Sequence, residues 1–134
     1  MKAIVSRDDV RLLVHSFYDK IRADQVLGPI FKASISDEKW PGHLDKMVDF
    51  WMGNLFGIKG FKGEPILAHV KADNKIDNKI NQEHFAYWIR LWFETLDENF
   101  EGEKCQKAKD VARMLTTPMY FAVWENQQKI ANNK

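Results

Sequence analysis

Two side chains in this sequence have the type and setting to hold a metal ion, His69 and His43, with Tyr18 as a third wall of the cleft between them. A neutral imidazole offers a lone pair to a transition metal, and a phenol both donates and accepts hydrogen bonds. His69 follows Pro65 by one apolar turn, in Gly63-Glu64-Pro65-Ile66-Leu67-Ala68-His69, between two amphipathic segments. A short helical turn there would project the ring into the interior. His43 shares one edge of a helical stripe with Met47 and Phe50, so its ring can reach an apolar cleft that His69 faces from the other side. On the residues alone, two partly buried histidines remain the plainer reading of the pair. His15 lies off the apolar stripe of its helix, and His84 sits where it would cap or solvate a helix start.

Four apolar stripes at helical spacing must position these groups. Val10, Leu13, Val14, Phe17 and Ile21 form the first, with Asp8 and Asp9 at the end where a helix dipole favours acids, and it stops before Leu27-Gly28-Pro29. Leu44, Met47, Val48, Trp51 and Leu55 form the second, with Trp40-Pro41-Gly42 at its start or in its first turn and Gly57 and Gly60 at its end. Phe85, Trp88, Ile89, Trp92 and Leu96 form the third; Ala108, Val111, Ala112, Leu115 and Met119 form the fourth, which Pro118 should kink or restart. No segment alternates with period two over a useful length, so the fold class is all-α. The stretch from Lys71 to Gln82 contains Asp73-Asn74-Lys75-Ile76 and then Asp77-Asn78-Lys79-Ile80. Too short for a solenoid and lacking the ligand spacing and glycine of a calcium loop, it reads as a solvated connector.

The whole chain bounds the function. With 134 residues it is long enough for one ordinary domain, and nine Phe and five Trp supply more ring area than a helical core of this size needs, which suits a ligand cavity. A net charge of +1 with interspersed signs gives no footprint for nucleic acid or anionic lipid. Every apolar run is interrupted before the roughly 18 residues a membrane span requires, so no membrane association is expected. One cysteine, Cys105, excludes an internal disulfide and is assigned no role; with no secretory leader ahead of the first stripe, a reducing cytoplasm is the expected setting.

The sequence resembles a truncated haemoglobin, most closely the group III branch. The resemblance rests on Phe17-Tyr18, Leu27-Gly28-Pro29-Ile30-Phe31, Trp40 with His43, Phe50-Trp51, Gly63-Glu64-Pro65 leading to His69, and Trp88. These markers keep the family's order over about residues 10 to 115. What it implies is a two-over-two helical sandwich enclosing a haem, in a single truncated globin domain over residues 1–134. His69 matches the proximal histidine that bonds the iron. Tyr18, Trp88 and His43 match the distal positions, with His43 open to three roles: donor, gate or sixth ligand. Phe31, Phe50 and Trp51 are the expected cavity walls. Covalent attachment would need Cys-x-x-Cys-His, so haem b is expected, with Lys46 and Lys62 as candidate propionate partners. The implied partners are small ligands such as dioxygen, nitric oxide, cyanide or peroxide, with a reductase and the oligomeric state left open. Several distal donors would slow dioxygen release, which favours detoxifying or peroxidase-like turnover over simple carriage. The alternative is an electron-transfer protein in which His43 and His69 both ligate iron.

Overall fold

The computed structural model describes residues 1–133, and its elements follow the apolar stripes. Helix α1 spans Arg7–Ala23, with the Ser6 hydroxyl accepting the Asp9 N–H at its N-cap and with Asp8 and Asp9 in its first turn. Its stripe of Val10, Leu13, Val14, Phe17 and Ile21 is fully buried. The Asp24 carboxylate accepts the N–H groups of Val26 and Leu27 at 2.9 and 2.8 Å and so opens a second helix, α2, over Leu27–Ser34. Gly28 is required in that corner: a Cβ there would sit 2.8 Å from the Arg22 carbonyl oxygen, a backbone atom that cannot yield. A single 3₁₀ turn at Asp37–Lys39 then leads into α3, Trp40–Phe56. Pro41 lies in its first turn, so Trp40-Pro41-Gly42 is a start and not a break, and Gly57 ends it in the left-handed conformation (φ 70°).

Helix α4 runs Pro65–Lys75, α5 Gln82–Asn99 and α6 Glu103–Asn132. Helices α1 and α3 pack as one pair and α5 and α6 as another, with α1 lying on α5 and α3 on α6. This is the two-over-two sandwich. Its centre is Trp92, fully buried, whose indole N–H donates to the Ala108 carbonyl at 3.1 Å and whose ring stacks on Trp51 at 4.5 Å. A side chain of this size contributes about 3 kcal/mol by burial alone. Helix α4 lies outside the two pairs, packed mainly on α6 and touching α2. Among the described residues, no helix is long and apolar enough to cross a membrane.

Three sequence expectations are corrected here. The connector from Lys71 to Gln82 is not simply solvated: its first repeat completes α4, and Asp73 is fully buried. The turn carrying His69 is the middle of an eleven-residue helix. Pro118 does not restart the last helix, which is continuous for 30 residues. Its ring forfeits the hydrogen bond to the Met114 carbonyl and crowds that carbonyl, and the burial of Met119 and Val123 carries the helix through. Cys105 is buried against α5, with Sγ 4.0 Å from the Leu96 carbonyl oxygen, and burial raises its pKa.

Candidate functional site

His69 projects from the middle of α4, and its Nδ1 lies 2.6 Å from the Pro65 carbonyl oxygen. A carbonyl only accepts, so Nδ1 carries the proton and donates, and in the neutral ring Nε2 is left with its lone pair outward. Burial holds the His69 pKa below the ordinary imidazole value, opposed by the Pro65 carbonyl, and this keeps the ring neutral. Pro65 thus has two uses: it starts the helix without needing an N–H, and its carbonyl fixes the tautomer of the residue one turn on. The Phe85 ring of α5 stands beside the imidazole, centroids 6.0 Å apart.

A second group of rings lies among α1, α2 and α3. Tyr18 of α1 is enclosed by Phe31 of α2 (6.0 Å), Trp40 (5.6 Å) and His43 (5.2 Å) of α3, all edge-on. Its phenol is 7% exposed, and burial raises its pKa well above the usual phenol value, so it remains a protonated donor. His43 has its pKa pushed down to about 4, by burial first, then by the Lys46 ammonium and by His69. Helix α2, which carries Phe31, packs against α4. The Nε2 atom of His43 is buried with no hydrogen-bond partner, an unpaired polar atom that a compact core normally avoids.

Trp88, Trp92 and Trp51 form a stack behind this group, with Trp88 and Trp92 nearly parallel at 6.1 Å and Phe17 edge-on to Trp88 at 5.5 Å. Phe50 meets Trp51 at 5.3 Å and Phe61 of the following loop at 5.2 Å. The structure therefore brings Tyr18, His43 and Phe31 directly together, sets Trp88 one ring away across Phe17, and places Phe50 and Trp51 further along α3. Three further residues belong with them. Trp40 closes the space between Tyr18 and His43, Phe85 supports His69, and Phe61 continues the wall from Phe50. Trp40 stood among the family markers and Phe85 in a stripe; nothing in the sequence set Phe61 apart.

The comparisons with known proteins bear on the family and the fold. No protein-family model matches the chain. The group 3 truncated haemoglobin ctb of Campylobacter jejuni is 31% identical over 122 residues, which cover 87% of this chain and 92% of that protein. The chain belongs to the group III truncated haemoglobins. The crystal structure of a group III truncated haemoglobin from Campylobacter jejuni superposes on this truncated haemoglobin with a TM-score of 0.80 at 30% identity, covering 92% of this chain and 95% of that one. The fold is thus the truncated globin fold.

The donor set of this truncated haemoglobin fits a haem iron. Among the described residues no cluster of three or more His, Cys, Asp or Glu side chains could hold a metal ion. A haem at His69 would itself bring most of the ligands of its iron. His69 offers one oriented lone pair, and the unpaired Nε2 of His43 marks where a further polar group belongs.

Proposed function

We propose that the chain, as one domain over residues 1–134, binds haem b non-covalently with His69 as the axial ligand. Tyr18, Trp88 and His43 then hold dioxygen or another small ligand such as nitric oxide, cyanide or peroxide. The observation that carries the reading is the Nδ1–H of His69 donating to the Pro65 carbonyl, since this leaves Nε2 as a fixed, unprotonated ligand atom. Haem, when bound, would supply a redox-active iron. The rest falls to the side chains. Tyr18, kept protonated by burial, donates its hydroxyl proton in a hydrogen bond to a ligand carrying partial negative charge. Trp88 donates from an indole fixed between Phe17 and Trp92. His43, neutral above about pH 4, has one N–H to donate and one lone pair to offer. Phe31, Phe50 and Trp51 exclude water, which strengthens each of these hydrogen bonds.

Several donors on one ligand slow its release, so the reading favours ligand chemistry, of a detoxifying or peroxidase-like kind, over carriage. Such turnover needs a reductase to return the iron to the ferrous state. A reducing cytoplasm is the setting we assign, consistent with a single buried cysteine thiol.

The buried, unpaired Nε2 of His43 favours a second reading, in which His43 and His69 both bind the iron and the protein transfers electrons. Visible spectra of the haem-reconstituted wild type, His69→Ala and His43→Ala separate the two. The ligand-binding reading expects a ferric wild type with water at the iron, haem loosened in His69→Ala, and full carbon monoxide binding in His43→Ala. A low-spin bis-histidine wild-type spectrum that becomes high-spin in His43→Ala selects the second reading. Haem retained unchanged in His69→Ala overturns both.

A further inference from the structure

Helix α4, which carries His69, has one fully buried residue, Asp73, while its Val70 is partly buried against the cluster of Ile80, Phe85, Met119 and Val123. An amphipathic helix is ordinarily locked about its axis by an apolar stripe, and here polar contacts add to a short one. They converge on Asp73, one turn beyond His69 and on the same side of the helix.

The Asp73 carboxylate accepts the Ile80 N–H at 2.8 Å through Oδ1 and the Gln127 side-chain N–H at 3.0 Å through Oδ2. Its backbone carbonyl accepts the N–H groups of Ile76 and Asn78 at 3.1 and 2.8 Å. The Gln127 amide nitrogen also lies 3.0 and 2.8 Å from the carbonyl oxygens of Asn78 and Ile80. Beside it, Asn126 donates to Asn74 at 2.9 Å. A fully buried carboxylate without these partners would be costly, so any rotation of α4 about its axis, or slide along α6, is opposed by the full penalty of breaking them. His69 turns with Asp73, because one rigid helical turn joins them.

We propose that Asp73 and Gln127 are positioning residues for His69: the clamp between α4 and α6 sets the rotation of α4 and thereby the aim of the His69 lone pair. The inference rests on His69 being the axial ligand of a haem. A coordinate bond tolerates only about 0.5 Å of misplacement, so the clamp acts on the bond and not only on the fold.

Asp73→Asn keeps the volume and the Ile80 contact but sets an amide nitrogen against that of Gln127; Gln127→Met removes the clamp from the other side. The haem-loaded variants are compared with Val10→Ala, a core change in α1 remote from α4, matched for loss of Tm. Haem transfer to an acceptor apoprotein and the iron–histidine stretching band of the ferrous protein are read out. Amide exchange of residues 68–73 in the haem-free protein is followed alongside. The expectation is haem loss faster by on the order of tenfold, a shifted or broadened band and faster exchange in both clamp variants, with the band unmoved in Val10→Ala. Clamp variants that lose Tm but keep the wild-type band and haem-loss rate overturn the proposal. A wild-type band that survives in His69→Ala instead overturns the axial assignment on which it depends.

Discussion

At the scale of single residues, the chemistry lies in two imidazoles of different standing. His69 is committed, since the Pro65 carbonyl fixes its proton on Nδ1. His43 is not, because its Nε2 is buried with nothing to bond. Tyr18 is the donor whose removal should be the most legible. Tyr18→Phe keeps the ring contacts with Phe31, Trp40 and His43 and deletes only the hydroxyl. One hydrogen bond is worth about 1–1.5 kcal/mol, so dioxygen release in stopped-flow should quicken about tenfold with little change in Tm. An unchanged release rate would remove Tyr18 from the ligand site. His43 and His69 stand out in the sequence by residue type and position, whereas Tyr18 and Trp88 take their distal roles from the family resemblance, since each also fits an apolar stripe. Phe61 and Phe85 do not stand out, since a wall needs only a ring at the right place and any apolar stripe supplies one.

At the scale of elements, the stripes placed α1, α3, α5 and α6, since each buries one face and the 3.6-residue period records that face directly. The elements that escaped are those held by polar contacts. Helix α2 depends on Asp24 accepting two N–H groups, and the C-terminal half of α4 depends on Asp73, whose partner Gln127 lies 54 residues away. A buried aspartate and a solvated one are identical in sequence. His84 was legible only as a residue at a helix start; the structure gives it a defined role. It closes a capping box, with the Asn81 N–H donating to its Nδ1 and its own N–H donating to the Asn81 side chain, each at 3.1 Å. An accepting Nδ1 must be unprotonated, and burial lowers the His84 pKa. Because the folded value lies below the unfolded one, this stabilisation is complete above the ordinary value of 6.5 and is lost as pH falls through the lowered one. His84→Gln should therefore remove a loss of about 1 kcal/mol, the ordinary worth of a helix cap, from the acid side of the denaturation profile. Parallel pH profiles for the two proteins would refute this. Pro118→Ala should restore the bond to the Met114 carbonyl and raise stability by about 1–3 kcal/mol in chemical denaturation; a fall would mean that Met119 and Val123 pack only on a bent helix.

At the scale of the whole molecule, two helix pairs close around the Trp92 stack while α4 stands apart on α6. Helix α4 is thus the element outside the two pairs, held to them chiefly through α6. The N-terminal segment is tied into the same core: Ile4 is buried, the Glu101 N–H donates to the Lys2 carbonyl at 2.9 Å, and the Lys2 ammonium pairs with Asp9 at 2.7 Å. The Lys2 contact and the Val5 N–H hold the Asp9 carboxyl below its ordinary value, so this tether is at full strength above the carboxylate range and fades as pH falls through the lowered value. Binding between α3 and α4 should stabilise the folded state by mass action, by about 4 kcal/mol when free haem is a thousandfold above its Kd, and amide exchange should slow most in α4. Uniform slowing across all helices would contradict a separate α4. The most direct test of the account is imidazole rescue of His69→Gly, followed in the ferrous and carbon monoxide spectra. The account predicts that the variant loses the axial histidine signature and that added imidazole restores it by filling the space against the Pro65 carbonyl. A His69→Gly protein whose ferrous spectrum matches the wild type without imidazole would contradict it.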